Sequence, residues 1–499
     1  MTMVLHKNFA FLLLLLIGLS ACTEDFAEMN TNPNEPVQVP PETIFPYAVR
    51  ESSDRIYGHR TRLERLGLDG GMLWVQYFAR NQYTNEGDTY NPDASMRNNN
   101  WEGFFNESLI NFQRVIDLAG DPESRFYNEN FTAAAMVMRA YLFSIVTDTW
   151  GSIPYIEALQ GASSGNLAPT YTAQEDIYAG MLTNLKTAAD MLDPAGEAIP
   201  GDILFQGDIV RWQKFANALR LRLANRQSAK KPAESAAIIS EIVNNPQSYP
   251  LFESNDEFAR LFHESRLGNN NNNAWHEIMV VGGREDWSIS QTLIDAMTDG
   301  AGNPTDPRLT VYAEPAIAGD LAGKYAGAPN GLPEALASVY INTASRPGSS
   351  FMQERAPVTF LSYSEQLFIL AEAALRGDIT ARSSEDYFEA AVAASFEQYG
   401  LSMPAGYLDG KTADLETIMT EKWKALFGQG IEAWTEYRRT GFPVLPAADP
   451  NAIFENDGQV PTRLRYPESE YSLNGANVAA GAQFNGGPDD KLTKLWWAQ

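Results

Sequence analysis

Apolar residues return at helical spacing through most of the chain. In residues 130–151 (NFTAAAMVMRAYLFSIVTDTWG) they recur every three or four positions, and small residues fall where a neighbouring helix can come close. Residues 172–192 (TAQEDIYAGMLTNLKTAADML) set Ile177, Met181, Leu185, Ala188 and Leu192 on one face. Residues 208–226 (DIVRWQKFANALRLRLANR) predict a third helix. Its arginines and lysine fall beside the apolar stripe, either solvated or paired with carboxylates.

Further along, residues 362–377 (SYSEQLFILAEAALRG) carry both ends of a helix. Ser362 and Glu365 have capping-box spacing, and Gly377 falls where a C-cap belongs. Residues 383–400 start and stop the same way, and residues 415–427 and 431–440 predict another pair. Helices of this length, joined by short turns and mixing alanine with aromatic residues, resemble tetratricopeptide hairpins, although the full consensus of that repeat is absent. Between the helices lie polar segments without period: residues 79–101 (ARNQYTNEGDTYNPDASMRNNNW), the asparagine run 269–273 followed by Ala274 and Trp275, and 288–308, a short helix and then turns. The predicted fold is mainly α, a scaffold of helical hairpins with long loops and little β structure. Long loops on a rigid scaffold commonly carry function.

The N-terminus breaks the helical pattern in its own way. Lys7 precedes an apolar stretch over residues 9–19, too short at about 1.5 Å per residue to cross a hydrocarbon core of about 30 Å. That is the layout of a secretory signal peptide. Leu19-Ser20-Ala21-Cys22 then resembles a bacterial lipobox, and Cys22 is the single cysteine of the chain. One thiol makes neither an internal disulfide nor a multi-cysteine metal site. The reading is a lipid attachment at Cys22, against an ordinary cleavage with an incidental cysteine. Residues 1–21 form the lipoprotein signal peptide, residues 22–42 (CTEDFAEMNTNPNEPVQVPPE) a flexible leash, and residues 43–499 one large folded body. The acidic residues just behind Cys22 resemble the export signal of surface lipoproteins in Bacteroidetes-type bacteria. No later segment is expected to cross a membrane.

Composition narrows the partners. The chain has 37 basic and 63 acidic residues, a net charge of −26. Cleavage before Cys22 removes Lys7 and no acid. Such a charge argues against nucleic acid and against electrostatic docking on anionic lipid.

Enzymatic patterns are weak. Gly161 to Gly165 (GASSG) matches the nucleophile-elbow pattern, but EALQ before it is no buried strand and NLAPT after it is no helix. His59, His263 and His276 are scattered and form no H-E-x-x-H. No linear pattern picks out a carboxylate pair for glycoside hydrolysis. The chain is read as not an enzyme and as needing no cofactor. The oxygen-rich run from Asp299 to Asp306 leaves a structural calcium ion as an alternative without named ligands, since turns use the same residues. Arg438 and Arg439 resemble an anion-binding pair, yet their place at a helix end suits carboxylate pairing.

Sugar recognition needs flat aromatic faces beside planar hydrogen-bonding groups. The ligand-binding candidates on that ground are Tyr83, Tyr90, Trp101, Trp275 and Trp287, with Arg80 and Asn81. Trp74, Tyr77 and Phe78 have helical spacing and are assigned to the core, and Trp423, Trp434, Trp496 and Trp497 to structure. Tyr83 and Trp287 are expected to be replaceable without loss of the fold.

Several blocks in order carry a resemblance. EKWKALFGQGIEAWTEYRRTGFPVL (421–445), RLRYPESEYSLNGAN (463–477), DDKLTKLWW (489–497), WGSIPY (150–155) and GDIVRWQKFANALRLRLANR (207–226) resemble the SusD/RagB-like outer-membrane lipoproteins, as does CTEDFAEMNTNPN behind the lipobox. The resemblance implies a helical fold with four tetratricopeptide-like pairs. It implies a non-enzymatic, lipid-anchored protein exposed on the outer membrane, which captures oligosaccharides or polysaccharides and acts as the lid of a SusC-like TonB-dependent transporter. The Arg438-Arg439-Thr440-Gly441 block fits a branch other than the starch-binding founder. Peptide capture by a RagB-like lid is one alternative, and a periplasm-facing solute-binding lipoprotein of an importer is another.

Overall fold

The computed structural model describes residues 39–62, 64–264 and 271–499. The signal peptide, Cys22 and nearly all of the leash lie outside the described residues, as does the start of the asparagine run. The long helices of the described residues are α1 (Pro41–Tyr57), α2 (Ala94–Gly103), α3 (Ile110–Ala119), α4 (Glu129–Trp150), α5 (Gln174–Met191), α6 (Ile209–Arg226), α7 (Pro232–Asn244), α8 (Tyr363–Arg376), α9 (Ser384–Glu397), α10 (Leu415–Ala425), α11 (Gly430–Thr440) and α12 (Glu468–Phe484); of these α4, α5, α6, α8, α9, α10 and α11 follow the periodic segments of the sequence. Sequence neighbours pack on one another, α3 on α4, α4 on α5, α5 on α6, α6 on α7 and α8 on α9, and α6 also meets α8. Residues Pro41–Gln499 form one compact unit. The tetratricopeptide-like helical architecture expected from the sequence is the one observed.

Local chemistry sets the helix ends. Asn128 caps α4 by accepting the Phe131 amide at 2.9 Å, and Asp208 and Asp414 do the same for α6 and α10. Ser383 and Asp386 close a full capping box on α9. At α8 only half of the expected box forms: Ser362 accepts the Glu365 amide at 3.0 Å, while the Glu365 side chain leaves the cap for Arg222. Gly377 ends that helix in the left-handed conformation, where a side chain would be strained.

The basic residues of α6 are not solvated. Arg222 grips Glu365 of α8 through Nε and Nη2, at 2.7 and 2.6 Å. One turn on, Arg226 bonds Asp148 of α4 at 2.7 Å and pairs with Glu432 and Glu436 of α11. Glu436 also takes Lys422 of α10 and Arg439 of its own helix, each at 2.8 Å. Arg439 reaches back to both oxygens of Glu372 on α8. All of these groups but Glu432 and Arg439 are buried, and those two are partly so. Burial opposes the charge on Glu436, yet Arg439, Lys422 and Arg226 hold its carboxyl well below the usual range. Arg438 instead donates to the Asp148 and Thr462 carbonyls and lies 3.4 Å over the Trp434 ring, so the paired arginines at 438 and 439 are structural.

α4 is long and apolar enough to span a bilayer, against the expectation that no later segment would be, but 89% of its most apolar stretch is buried inside the protein. Strands are short and come in antiparallel pairs: β1 (Phe78–Arg80) with β5 (Trp287–Ile289), β2 (Ile153–Pro154) with β3 (Tyr171–Thr172), β4 (Ala259–Phe262) with β8 (Pro357–Leu361), and β6 (Ala313–Glu314) with β7 (Arg346–Pro347). The segment 79–101 holds more order than its composition suggests, since α2 occupies its second half under an Asp93 cap. The GASSG run is one exposed helical turn with no strand leading into it.

Removing the Arg439 guanidinium takes one cation from two buried carboxylates, leaving Lys422 and Arg226 on Glu436 and Arg376 on Glu372. Arg439→Ala should therefore cost about 1.5–3 kcal/mol, the loss of charge-assisted hydrogen bonds, read as a lowered urea midpoint. Arg439→Lys, which keeps the charge and loses the fork, should fall between the two. A midpoint unchanged in Arg439→Ala would remove this network from the account of stability.

Candidate functional site

The β1–β5 pair carries the first face of interest. Its register sets Arg80 opposite Trp287. A π-helical turn over Leu66–Gly71 supplies Asp69 from below. The Trp287 indole N–H donates to Asp69 Oδ1 at 2.9 Å, and the Arg80 guanidinium lies 4.7 Å from the Trp287 ring centre. Arg80 also faces Asp69, Glu86 and Asp286 at 3.1–3.4 Å. Burial pushes the Asp69 carboxyl up, opposed by the charges of Arg80 and Arg65. Asn81 donates from its amide to the Asp286 carbonyl and from its side chain to Ser288 Oγ, both at 3.0 Å. Arg80, Asn81 and Trp287 are thus a buried floor, engaged by Asp69, Glu86, Asp286 and Ser288.

Tyr83 stands above that floor, 36% exposed, with φ of 52°. Its ring lies 4.6 Å from the Arg62 guanidinium and 5.1 Å from that of Arg284. Its backbone amide donates to Glu334 Oε2 at 3.0 Å. Arg62 is held by Glu86 and Arg284 by Asp286, so both cations are oriented by carboxylates. A half-open ring, two guanidinium groups and an exposed carboxylate offer a flat face, donors and an acceptor within one patch.

The structure places the other candidates elsewhere. Trp275 is buried, stacked on Tyr57 at 4.4 Å with its indole N–H on the Tyr57 carbonyl. Trp101 sits in α2 with its edge on Trp150, among Phe105 and Tyr171. Tyr90 is covered by Phe454 at 4.3 Å and takes a hydrogen bond from Gln76, leaving its edge on a pocket of about 280 Å³. Their faces are filled by protein. Of the named aromatic residues, Tyr83 is the exposed one, with the Arg62 and Arg284 guanidinium groups lying over its ring. Arg62 and Glu334 escaped the sequence reading: one lies upstream in a charged run, the other in a distant loop, and neither has a local pattern that points to Tyr83.

Among the described residues no group of three or more His, Cys, Asp or Glu side chains is arranged to hold a metal ion. In the 299–306 run, Asp299 accepts from Ala301 and Asn303 of its own loop, and Asp306 pairs with Arg308.

Comparison with known proteins accords with this architecture. A SusD-like family model, described as starch-binding and associating with the outer membrane, matches residues 35–467. A solved chitin-binding protein has a TM-score of 0.78 at 28% identity, covering 92% of this chain and 100% of its own. A chitin-binding SusD homologue from Flavobacterium johnsoniae has a TM-score of 0.78 at 23% identity, over 92% of this chain and 98% of that one; at that distance the likeness concerns the fold alone. An outer-membrane protein from Bacteroides vulgatus, described as involved in nutrient binding, has a TM-score of 0.75 at 25% identity, over 92% of this chain and 100% of that one. No curated relative matches.

The loop that presents Tyr83 is tied down at Asp88. This buried carboxylate accepts the Arg80 and Gly331 amides, each at 3.1 Å, and the Asn330 side chain at 2.7 Å. Burial raises its pKa to about 6, against those hydrogen bonds. A carboxyl raised on folding favours the closed loop while protonated. That contribution is full below its unfolded value near 4 and is lost as pH rises through about 6. Protection of residues 79–93 from amide exchange, corrected for intrinsic rate, should therefore fall by about 2–3 kcal/mol between pH 4 and pH 7. Protection that is flat or rises with pH would contradict it.

Proposed function

The chain belongs to the SusD-like family, whose members are binding proteins, and on that footing we propose that it captures oligosaccharides or polysaccharides without chemistry, through the face around Tyr83. The observation that carries the reading is the open Tyr83 ring between the oriented Arg62 and Arg284 guanidinium groups, next to Glu334. A sugar ring that takes the place of one guanidinium group on Tyr83 has its C–H face covered and its hydroxyl rim within reach of the displaced donors and of Glu334. The chitin-binding neighbour at 28% identity supports a glycan ligand.

The lipobox at Cys22 and the description of the family as outer-membrane associating support a wider reading. In it the body is tethered by lipid to the outer membrane, faces outward, and covers a SusC-like TonB-dependent transporter that receives the glycan. A few stacked rings at about 0.5–1.5 kcal/mol each give weak, fast-exchanging capture, which suits transfer better than storage.

The test is calorimetric titration of residues 22–499 with chitin- and starch-derived oligosaccharides and with neutral peptides. Tyr83→Ala should weaken the best glycan by about five- to tenfold, the loss of about 1 kcal/mol of stacking, with thermal unfolding unchanged. Trp287→Ala, expected from the sequence to spare the fold, should instead cost about 3–5 kcal/mol of stability because it empties a buried site. Glycan affinity untouched by Tyr83→Ala would discard this face, and binding of peptides alone would favour the RagB-like alternative.

A further inference from the structure

Elsewhere on the body, a cleft of about 670 Å³ opens between α1, the 202–211 turn and β4. It shares no lining residue with the Tyr83 face and falls within the size range of small-ligand sites. Resting on the reading of the protein as a glycan-capture module, we infer that this cleft is a second ligand site, selective for a carboxylate-bearing saccharide.

The argument begins with strand alternation. In β4, Ala259 and Leu261 turn inward, while Arg260 and Phe262 turn outward, Phe262 being 53% exposed. The Arg260 guanidinium lies 4.7 Å from the Phe258 ring and 4.9 Å from that of Phe262, so aromatic rings steady it and leave its hydrogen-bonding edge unused. It makes no ion pair with a described residue. Neither does Arg355, which is exposed on the same cleft. Arg211 bonds only the carbonyls of Glu257 and Phe258, at 3.1 and 3.4 Å, and stacks on Phe205.

Three guanidinium groups without a carboxylate therefore meet in one cleft of a protein with a net charge of −26. The contrast lies inside the same molecule, where the scaffold arginines Arg222, Arg226 and Arg439 each hold a carboxylate. Of the acids of the cleft, Asp256 acts on Arg260 only through space, with no ion pair between them. Asp202 is taken by the Leu204, Phe205 and Gly207 amides and the Trp212 indole, and Asp256 and Glu264 are exposed. Arg50 is already paired with Glu51 and Asp54.

Planar guanidinium groups match a carboxylate with two parallel bonds. Phe262 and Tyr47, both exposed in the cleft, add flat faces for a sugar ring. An acidic peptide carries the charge but no ring face to lay on them. A uronic-acid residue carries both.

Calorimetry of residues 22–499 with trigalacturonate, neutral galactotriose and hexaglutamate tests the assignment. Trigalacturonate should bind, weaken as salt is raised, lose at least about tenfold in affinity in the Arg260→Gln/Arg355→Gln variant, and be indifferent to Tyr83→Ala. Galactotriose should be insensitive to the arginine substitutions. Phe262→Ser, on an exposed ring, should weaken trigalacturonate as well and keeps the test open if the double variant fails to fold. No binding of trigalacturonate, or binding unchanged in both variants, overturns the site. So does tighter binding of hexaglutamate through the same arginines, which would make it an acidic-peptide site. Loss of trigalacturonate in Tyr83→Ala alone would move the acid sugar to the first face, overturning the second site and leaving the first reading intact.

Discussion

Buried opposite charges that must find one another fix how the helices of this protein are arranged. Arg222 and Arg226, one turn apart on α6, reach α8 in one direction and α4 and α11 in the other. Glu436 closes the circuit by taking Arg226, Lys422 and Arg439. Such groups add little net stability over well-packed apolar side chains, but any slip in register leaves a charge buried and alone. Their contribution is therefore to the uniqueness of the arrangement. Hydrophobic packing alone would tolerate several ways of leaning one alanine-rich helix on another.

A frame fixed in this way lets the connecting segments be long. The 79–93 loop has almost no regular structure, yet it is anchored at one end by the β1–β5 pair and in its middle by Asp88. Gly87 lets the loop backbone press against the Asp69 carbonyl, where a Cβ would lie 1.8 Å from the oxygen. Beneath Tyr83 the floor is buried and crossed by ion pairs. Above it the ring and its two guanidinium neighbours remain accessible. Rigid support below and open groups above are what a binding face needs to hold its shape while its ligand comes and goes.

Helices were legible because their information is local. The caps at Ser362, Ser383, Asp208 and Asp414 and the spacing of apolar residues lie within a turn or two of the residues they organise. The family blocks added the architecture. The candidate site was only partly legible, because its partners are distant in sequence. Trp275 and Trp287 have polar neighbours along the chain, which suggests exposure, but Tyr57 covers the first and Asp69 and Arg80 engage the second. The exit of the Glu365 side chain from its cap to Arg222 was hidden for the same reason. α2 was missed because asparagines crowd its sequence and little apolar periodicity remains to be read.

Tyr83 holds a backbone conformation that asparagine and glycine adopt far more readily, at a strain of about 1 kcal/mol or more. Nothing in the folding of the loop asks for a tyrosine there, and its ring is not needed by the core. Position 83 is thus poised to drift. On the proposed reading of Tyr83 as a sugar platform, replacement by asparagine or glycine would come early, and would relax the loop, in lineages that have abandoned the ligand. In lineages that still depend on it, an aromatic residue would persist against the grain of its own backbone.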